Sequence, residues 1–173
     1  MSFDIQVANP ARSFGLETID QVSFLVADMD EAGKVYGALF GPLGIIESEL
    51  AGATFRGRPV APKVRVAFAN HGEIEIELIQ PVSGEGPFSE RLERHGEGLF
   101  HLRFPVDDID AATHSLTEGG FEPVFSHGVR DLRVAYFEAP ELIGSAMIEL
   151  MSGPPGDLRF LSSNTKVPAN SGK

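Results

Sequence analysis

Four polar side chains, Gln21, Glu77, His101 and Glu149, stand at matching places in a sequence that repeats itself. The repeat shows when Gln21-Val22-Ser23-Phe24-Leu25-Val26 is laid over His101-Leu102-Arg103-Phe104-Pro105-Val106, at an offset of 80 residues. Phe24 then meets Phe104, Asp28 meets Asp108, Asp30 meets Asp110 and Ala32 meets Ala112. Residues 64–68 repeat as 132–136 and residues 76–79 as 148–151, at offsets of 68 and 72. The offsets differ because connecting loops accept insertions and paired strands do not.

Alternate side chains of a strand face opposite sides, so the apolar phase marks the side that packs under helices. Val22, Phe24 and Val26 share that phase, as do Leu102, Phe104 and Val106, which puts Gln21 and His101 on the other face. Ile74, Ile76 and Leu78, and in the second half Ala146, Ile148 and Leu150, put Glu77 and Glu149 there as well. Taken singly, each of the four reads as a solvent-facing strand residue. Independent surface positions, however, have no reason to share one phase at equivalent repeat sites. Closing the halves about a pseudo-two-fold axis would gather one imidazole nitrogen, two carboxylates and an amide oxygen. That set suits a borderline or hard divalent ion, with water or substrate completing the shell.

Arg103 shares the face of His101, and Arg65 and Arg133 are candidates for the same side. Such cations would suit a carboxylate or phosphate on a substrate. They would equally neutralise Glu73 and Glu75, which share the phase of Glu77. The histidines outside the ligand positions, His71, His95, His114 and His127, fall in predicted turns or helices and read as solvated.

The elements that must hold these groups follow from pattern. Each half reads as a strand, a helix and about three further strands, an α+β arrangement. Acidic caps start helices over residues 30–40 and 108–118, which end near Gly41 and at Gly119-Gly120. Residues 81–98 hold Gly, Pro and a short charged helix at 88–94, and read as a linker. The domain spans residues 18–151, with halves of about 18–81 and 98–151. It is preceded by an extension (1–17) and followed by a Ser- and Asn-rich tail (152–173) expected to be mobile.

The 173 residues, 42% hydrophobic with 13 Phe, suffice for one core. Cysteine is absent, so any metal must be held by nitrogen and oxygen. A net charge of -11 argues against nucleic acid as partner. The lack of a long apolar run or signal-like start argues against a membrane and for the cytoplasm. A small-molecule substrate, with an anionic group for the arginines, is the expected partner.

The segment Gly96-Glu97-Gly98-Leu99-Phe100-His101-Leu102-Arg103-Phe104-Pro105-Val106-Asp107-Asp108-Ile109 resembles the epimerase pattern of the vicinal oxygen chelate superfamily. That superfamily includes glyoxalase I, methylmalonyl-CoA epimerase, extradiol dioxygenases and antibiotic-binding resistance proteins. Glu75-Ile76-Glu77-Leu78-Ile79-Gln80-Pro81 is similar to the ligand strand of the epimerase group. The resemblance implies two βαβββ modules forming a curved mixed sheet, with a metal site in the cleft. It places the ligands at Gln21, Glu77, His101 and Glu149, a set similar to that of eukaryotic-type glyoxalase I. In epimerases a His usually stands where Gln21 does, and a carboxylate precedes the strand that begins here at Val64, where this chain has Ala61-Pro62-Lys63. Extradiol cleavage uses two His and a carboxylate, and only His101 lies at a ligand position.

By this resemblance one divalent ion (Zn, Co, Ni or Mn) polarises a carbonyl, while Glu149, with Glu77 as second candidate, transfers the proton of the adjacent carbon. The implied activity is that of an isomerase or lyase of the glyoxalase and epimerase type, working as a homodimer. The alternative is a resistance-type protein that binds a small molecule in the same cleft without turnover.

Overall fold

The computed structural model describes residues 14–138 and 146–154; most of the extension and of the tail lies outside them. The first half runs β1 (Gln21–Leu25), α1 (Met29–Phe40), β2 (Gly44–Glu49), β3 (Ala53–Phe55), β4 (Arg58–Val60), β5 (Lys63–His71) and β6 (Ile74–Ser83). After the linker helix α2 (Pro87–His95), the second half runs β7 (Gly98–Pro105), α3 (Ile109–Glu118), β8 (Glu122–Val129), β9 (Leu132–Glu138) and β10 (Met147–Ser152). Both long helices start as the acidic clusters require. Asp28 accepts from the backbone N–H groups of Asp30 and Glu31, and Asp108 from those of Asp110 and Ala111. Each such cap is worth roughly 1 kcal/mol.

The ten strands form one mixed sheet in the order β2-β5-β6-β1-β7-β10-β9-β8-β3-β4. β1 and β7 pair antiparallel at its centre, each with a parallel neighbour outside, β6 and β10 respectively. Gln21 pairs with Arg103 and Ser23 with His101, so the pseudo-two-fold passes through the Val22–Leu102 pair. On the convex face, Met29 of α1 packs over Val26, Ala67 and Leu78, and Leu116 of α3 over Ala135, Phe137 and Leu150. The concave face holds the third cluster, which includes Phe55, Phe88, Phe100, Phe125 and Met151.

The pattern of one strand, one helix and three strands per half leaves out the hairpin β3–β4. It is inserted between β2 and β5 of the first half, yet β3 pairs with β8 of the second. This insertion dictates the curvature. In a flat sheet β2 and β3, eight strand spacings apart, would lie about 38 Å from one another. The chain from Glu49 to Ala53 reaches at most about 14 Å. The sheet must therefore curl until its ends nearly meet. The outgoing and returning crossings run side by side, joined by Leu50 N–H donating to the Pro62 carbonyl at 2.9 Å. The concave face becomes the inside of a half-barrel.

Candidate metal centre

Two cross-strand rows on the concave face carry the polar groups. One runs Glu75, Gln21, Arg103, Glu149 and Tyr136; the other runs Glu77, Ser23, His101 and Met147. Gln21, Glu77, His101 and Glu149 thus come together on the four central strands, and all are buried. His101 Nε2 is their meeting point. Gln21 Oε1 lies 2.8 Å from it, Glu149 Oε2 2.5 Å and Glu77 Oε2 3.4 Å. One ring nitrogen carries at most one proton, and its hydrogen-bond geometry is with Gln21. Among the described residues, the buried Oε2 atoms of Glu77 and Glu149 have no hydrogen-bond donor of good geometry.

Three oxygens converging on one nitrogen, two of them orphaned, cost free energy unless a cation joins them. Ligand atoms of Glu77, His101 and Glu149 all lie within 4.8 Å of one another. These residues fit a divalent ion held by one nitrogen and three oxygens.

Electrostatics separates the two carboxylates. Burial pushes Glu77 up to about 7, with Glu149 adding to the rise and His101 opposing it. Burial would raise Glu149 too, but the adjacent His101 and then Arg103 hold it below the ordinary carboxylate value. Arg103 itself is buried, and it binds Asp20 through Nε at 2.8 Å and Nη2 at 3.1 Å. Its Nη2 also lies 3.4 Å from Glu75 Oε1. It underlies the four converging side chains as a counterion, the alternative left open by its sequence position.

Arg65 and Arg133 do not reach the cleft, contrary to the expectation that they would join a substrate-binding face. The cavity-facing phases are Val64, Val66 and Phe68 on β5, and Leu132, Val134 and Tyr136 on β9. Both arginines therefore point to the helical side. Arg65 meets Asp30 at 3.0 Å and Arg133 meets Asp110 at 2.6 Å, so the pairs are related by the repeat.

The cavity beside the ligands measures about 110 Å³. Beyond Gln21 and Glu77 its first-half wall is mostly apolar, with Ile46, Val66, Phe68 and Ile79 beside Ser48, whereas the second-half wall carries Tyr136 and His127. Burial pushes the Tyr136 phenol well above its usual value, reinforced by Glu149 and Glu77. The Tyr136 ring lies 5.2 Å from that of His101. His127 corrects the sequence expectation of a solvated turn: it lies on β8 facing the cavity, and burial lowers it so that it is neutral at pH 7. The signal was present in the repeat. His127 pairs with Val134 as Ile46 pairs with Val66, so the two are equivalent, and both line the cavity.

A half-barrel of two βαβββ units around a buried nitrogen and oxygen donor set defines the class. The model of the Glyoxalase/Bleomycin resistance protein/Dioxygenase superfamily matches residues 20–136, and the chain belongs to that superfamily. The chain is 24% identical over 145 residues to the uncharacterized protein YqjC of Bacillus subtilis (strain 168), covering 82% of this chain and 96% of that one. Methylmalonyl-CoA epimerase from Mycobacterium tuberculosis superposes with a TM-score of 0.56 at 22% identity, covering 81% of this chain and 90% of the other. The hypothetical protein BH1468 from Bacillus halodurans C-125 gives 0.54 at 23%, covering 79% and 94%. A Streptomyces coelicolor methylmalonyl-CoA epimerase variant in complex with 2-nitronate-propionyl-CoA gives 0.57 at 20%, covering 81% and 96%. At these identities the structures share the fold. Among the described residues no helix is long and apolar enough to cross a membrane.

Proposed function

We propose that this protein is a metal-dependent isomerase or lyase that moves a proton at the carbon next to a carbonyl. The observation that carries the reading is the convergence of Gln21, Glu77 and Glu149 oxygens on His101 Nε2, beside a cavity with mostly apolar walls. A divalent ion held there would supply a Lewis acid for a carbonyl oxygen. The protein's own part is positioning, exclusion of water and proton transfer.

Glu77 comes to the centre from the first half and Glu149 from the second, which supports a role for either carboxylate in proton transfer. Glu149 makes the shorter approach to His101 and its side chain is 4% exposed; Glu77 stands 3.4 Å away with 11% exposed. The more loosely held Glu77 is then the group that takes and returns the proton, with Glu149 as the firmer ligand. This inverts the order that the family resemblance implies. Tyr136 and the neutral His127 offer hydrogen bonds to substrate oxygen from the second-half wall.

The substrate class follows from charge. Among the described residues the guanidinium that lines the cavity, Arg103, is already paired with Asp20, and Arg65 and Arg133 lie on the other face. That supports an acyl or keto group that carries no carboxylate near the reacting carbon, unlike a methylmalonyl group. The epimerase neighbours bear on the fold alone.

The test begins with metal content. Purified wild type is expected to hold close to one divalent ion per chain, and His101→Ala to lose it. Carbonyl compounds are then screened in D2O for metal-dependent exchange of the adjacent proton, read by NMR. Metal uptake with tight binding of a carbonyl compound and no exchange would replace the enzyme reading with that of a binding protein.

A further inference from the structure

Of the four groups at the centre, the amide is the one with a wrong way round. Its oxygen can bind a cation and its NH2 cannot. Gln21 Nε2 donates to Glu75 Oε1 at 2.7 Å, and Gln21 Oε1 faces His101 Nε2 at 2.8 Å. Glu75 is fully buried and lies directly across from Gln21 in the parallel β1–β6 pair. A carboxylate only accepts, so it takes the donor side of the amide and leaves the oxygen for the centre.

Without that acceptor the amide would turn the other way. The orphaned Oε2 atoms of Glu77 and Glu149 lie on the far side, and a flipped amide would offer them its N–H groups. Such a flip satisfies the carboxylates with a neutral donor and removes one oxygen from the cation site. The second half shows the contrast. There the repeat puts His101 in place of Gln21 and Met147 in place of Glu75, and the two are again directly paired across strands. The imidazole packs against the rings of Phe100 at 5.3 Å and Tyr136 at 5.2 Å, and among the described residues its Nδ1 has no hydrogen-bond partner.

We propose that Glu75 is the positioning residue that makes Gln21 an oxygen donor to a divalent cation, itself steadied by the Arg103–Asp20 pair. The proposal rests on the metal reading of the centre. It assigns the carboxylate next to the ligand strand position a role distinct from Glu77: Glu75 holds a ligand and does not touch the ion.

The test uses Co2+ as probe, with affinity measured by competition against a chromophoric chelator and coordination followed by the visible absorption of the bound ion. Glu75→Met, which installs the residue type of the equivalent place in the second half, is expected to weaken Co2+ binding roughly 10- to 100-fold. Adding Gln21→Glu to it is expected to recover most of that loss, because a carboxylate presents oxygen in either orientation. The double variant also keeps the net charge of the wild type. A role for Glu75 in packing alone would not be rescued from position 21, and a role in holding Arg103, which pairs with position 21, would restore the melting temperature in the double variant without restoring Co2+ affinity. Wild-type affinity in Glu75→Met overturns the proposal, and so does a folded double variant that binds no better than the single one. If Glu75→Met does not fold, the double variant decides the matter by its own affinity. If the wild type takes up no Co2+ at all, the metal reading itself fails, which is a separate outcome from normal wild-type binding with unaffected variants.

Discussion

Replacing Glu77 by Gln should stabilise the metal-free protein while destroying its use for a metal. Burial and the nearby Glu149 push Glu77 from the ordinary 4.5 to about 7. A shift of this size, at about 1.4 kcal/mol per pH unit, amounts to roughly 3 kcal/mol. The sign follows from proton binding. Between pH 4.5 and 7 the folded chain keeps a proton that the unfolded chain has released, so stability falls as pH rises through that window. Above it the full penalty of a buried, unneutralised carboxylate applies; below it the penalty vanishes. Glutamine never ionises and escapes the penalty. With chelator present at pH 8, Glu77→Gln should melt about 6 to 12 °C above wild type, since each kcal/mol moves a chain of this size by about 2 to 4 °C. At pH 4.5 the two should converge. Added divalent ion should reverse the order, raising the wild type more than the variant. Calorimetry on chelator-treated samples at the two pH values is the assay. A variant that melts below wild type at pH 8, or by the same margin at both pH values, refutes the reasoning.

Other consequences can be read more simply. Asp108→Ala removes the cap of α3 and should cost about 1 kcal/mol, seen as a melting point about 2 to 4 °C lower with metal affinity unchanged. Arg65→Ala and Arg133→Ala break exposed ion pairs on the helical side. Each should cost under about 1 kcal/mol in denaturant titration and leave ion uptake at the wild-type level. Leu116→Ala empties a fully buried site between α3 and the sheet, and a loss of about 2 to 5 kcal/mol is expected by the same titration. Tyr136→Phe should leave Co2+ affinity within error but slow exchange of the substrate proton, separating a group that faces substrate from one that holds the ion.

What the sequence revealed and what it concealed have a common cause. The convergence of Gln21, Glu77, His101 and Glu149 was legible because two-residue alternation and a tandem repeat both constrain them, and each constraint survives changes in loop length. The convex packing was legible for the same reason. The arginines were misread because Arg65 and Arg133 lie one residue out of the cavity phase; the neighbours that settle it, Val64 and Leu132, are plain apolar residues usable on either face. The partners of Arg103 depend on register across strands far apart in the chain, which composition does not encode. The hairpin β3–β4 was hidden because its strands of three residues give too short an alternation to detect, and because half of its pairing is with β8, 72 residues away.

That hairpin also governs the order in which the molecule can be assembled. The first half leaves the ribosome with Phe55 made to lie against Phe125, and Arg56 made to meet Glu138, residues that do not yet exist as structure. Docking of the hairpin has to wait for β8 and β9, so closing the barrel is a late, long-range event in folding. A polypeptide that still displays two similar units can no longer be cut into two that fold alone: severed after β6, the first would carry an unpaired β3 edge, and the second would lack the strand that covers its own.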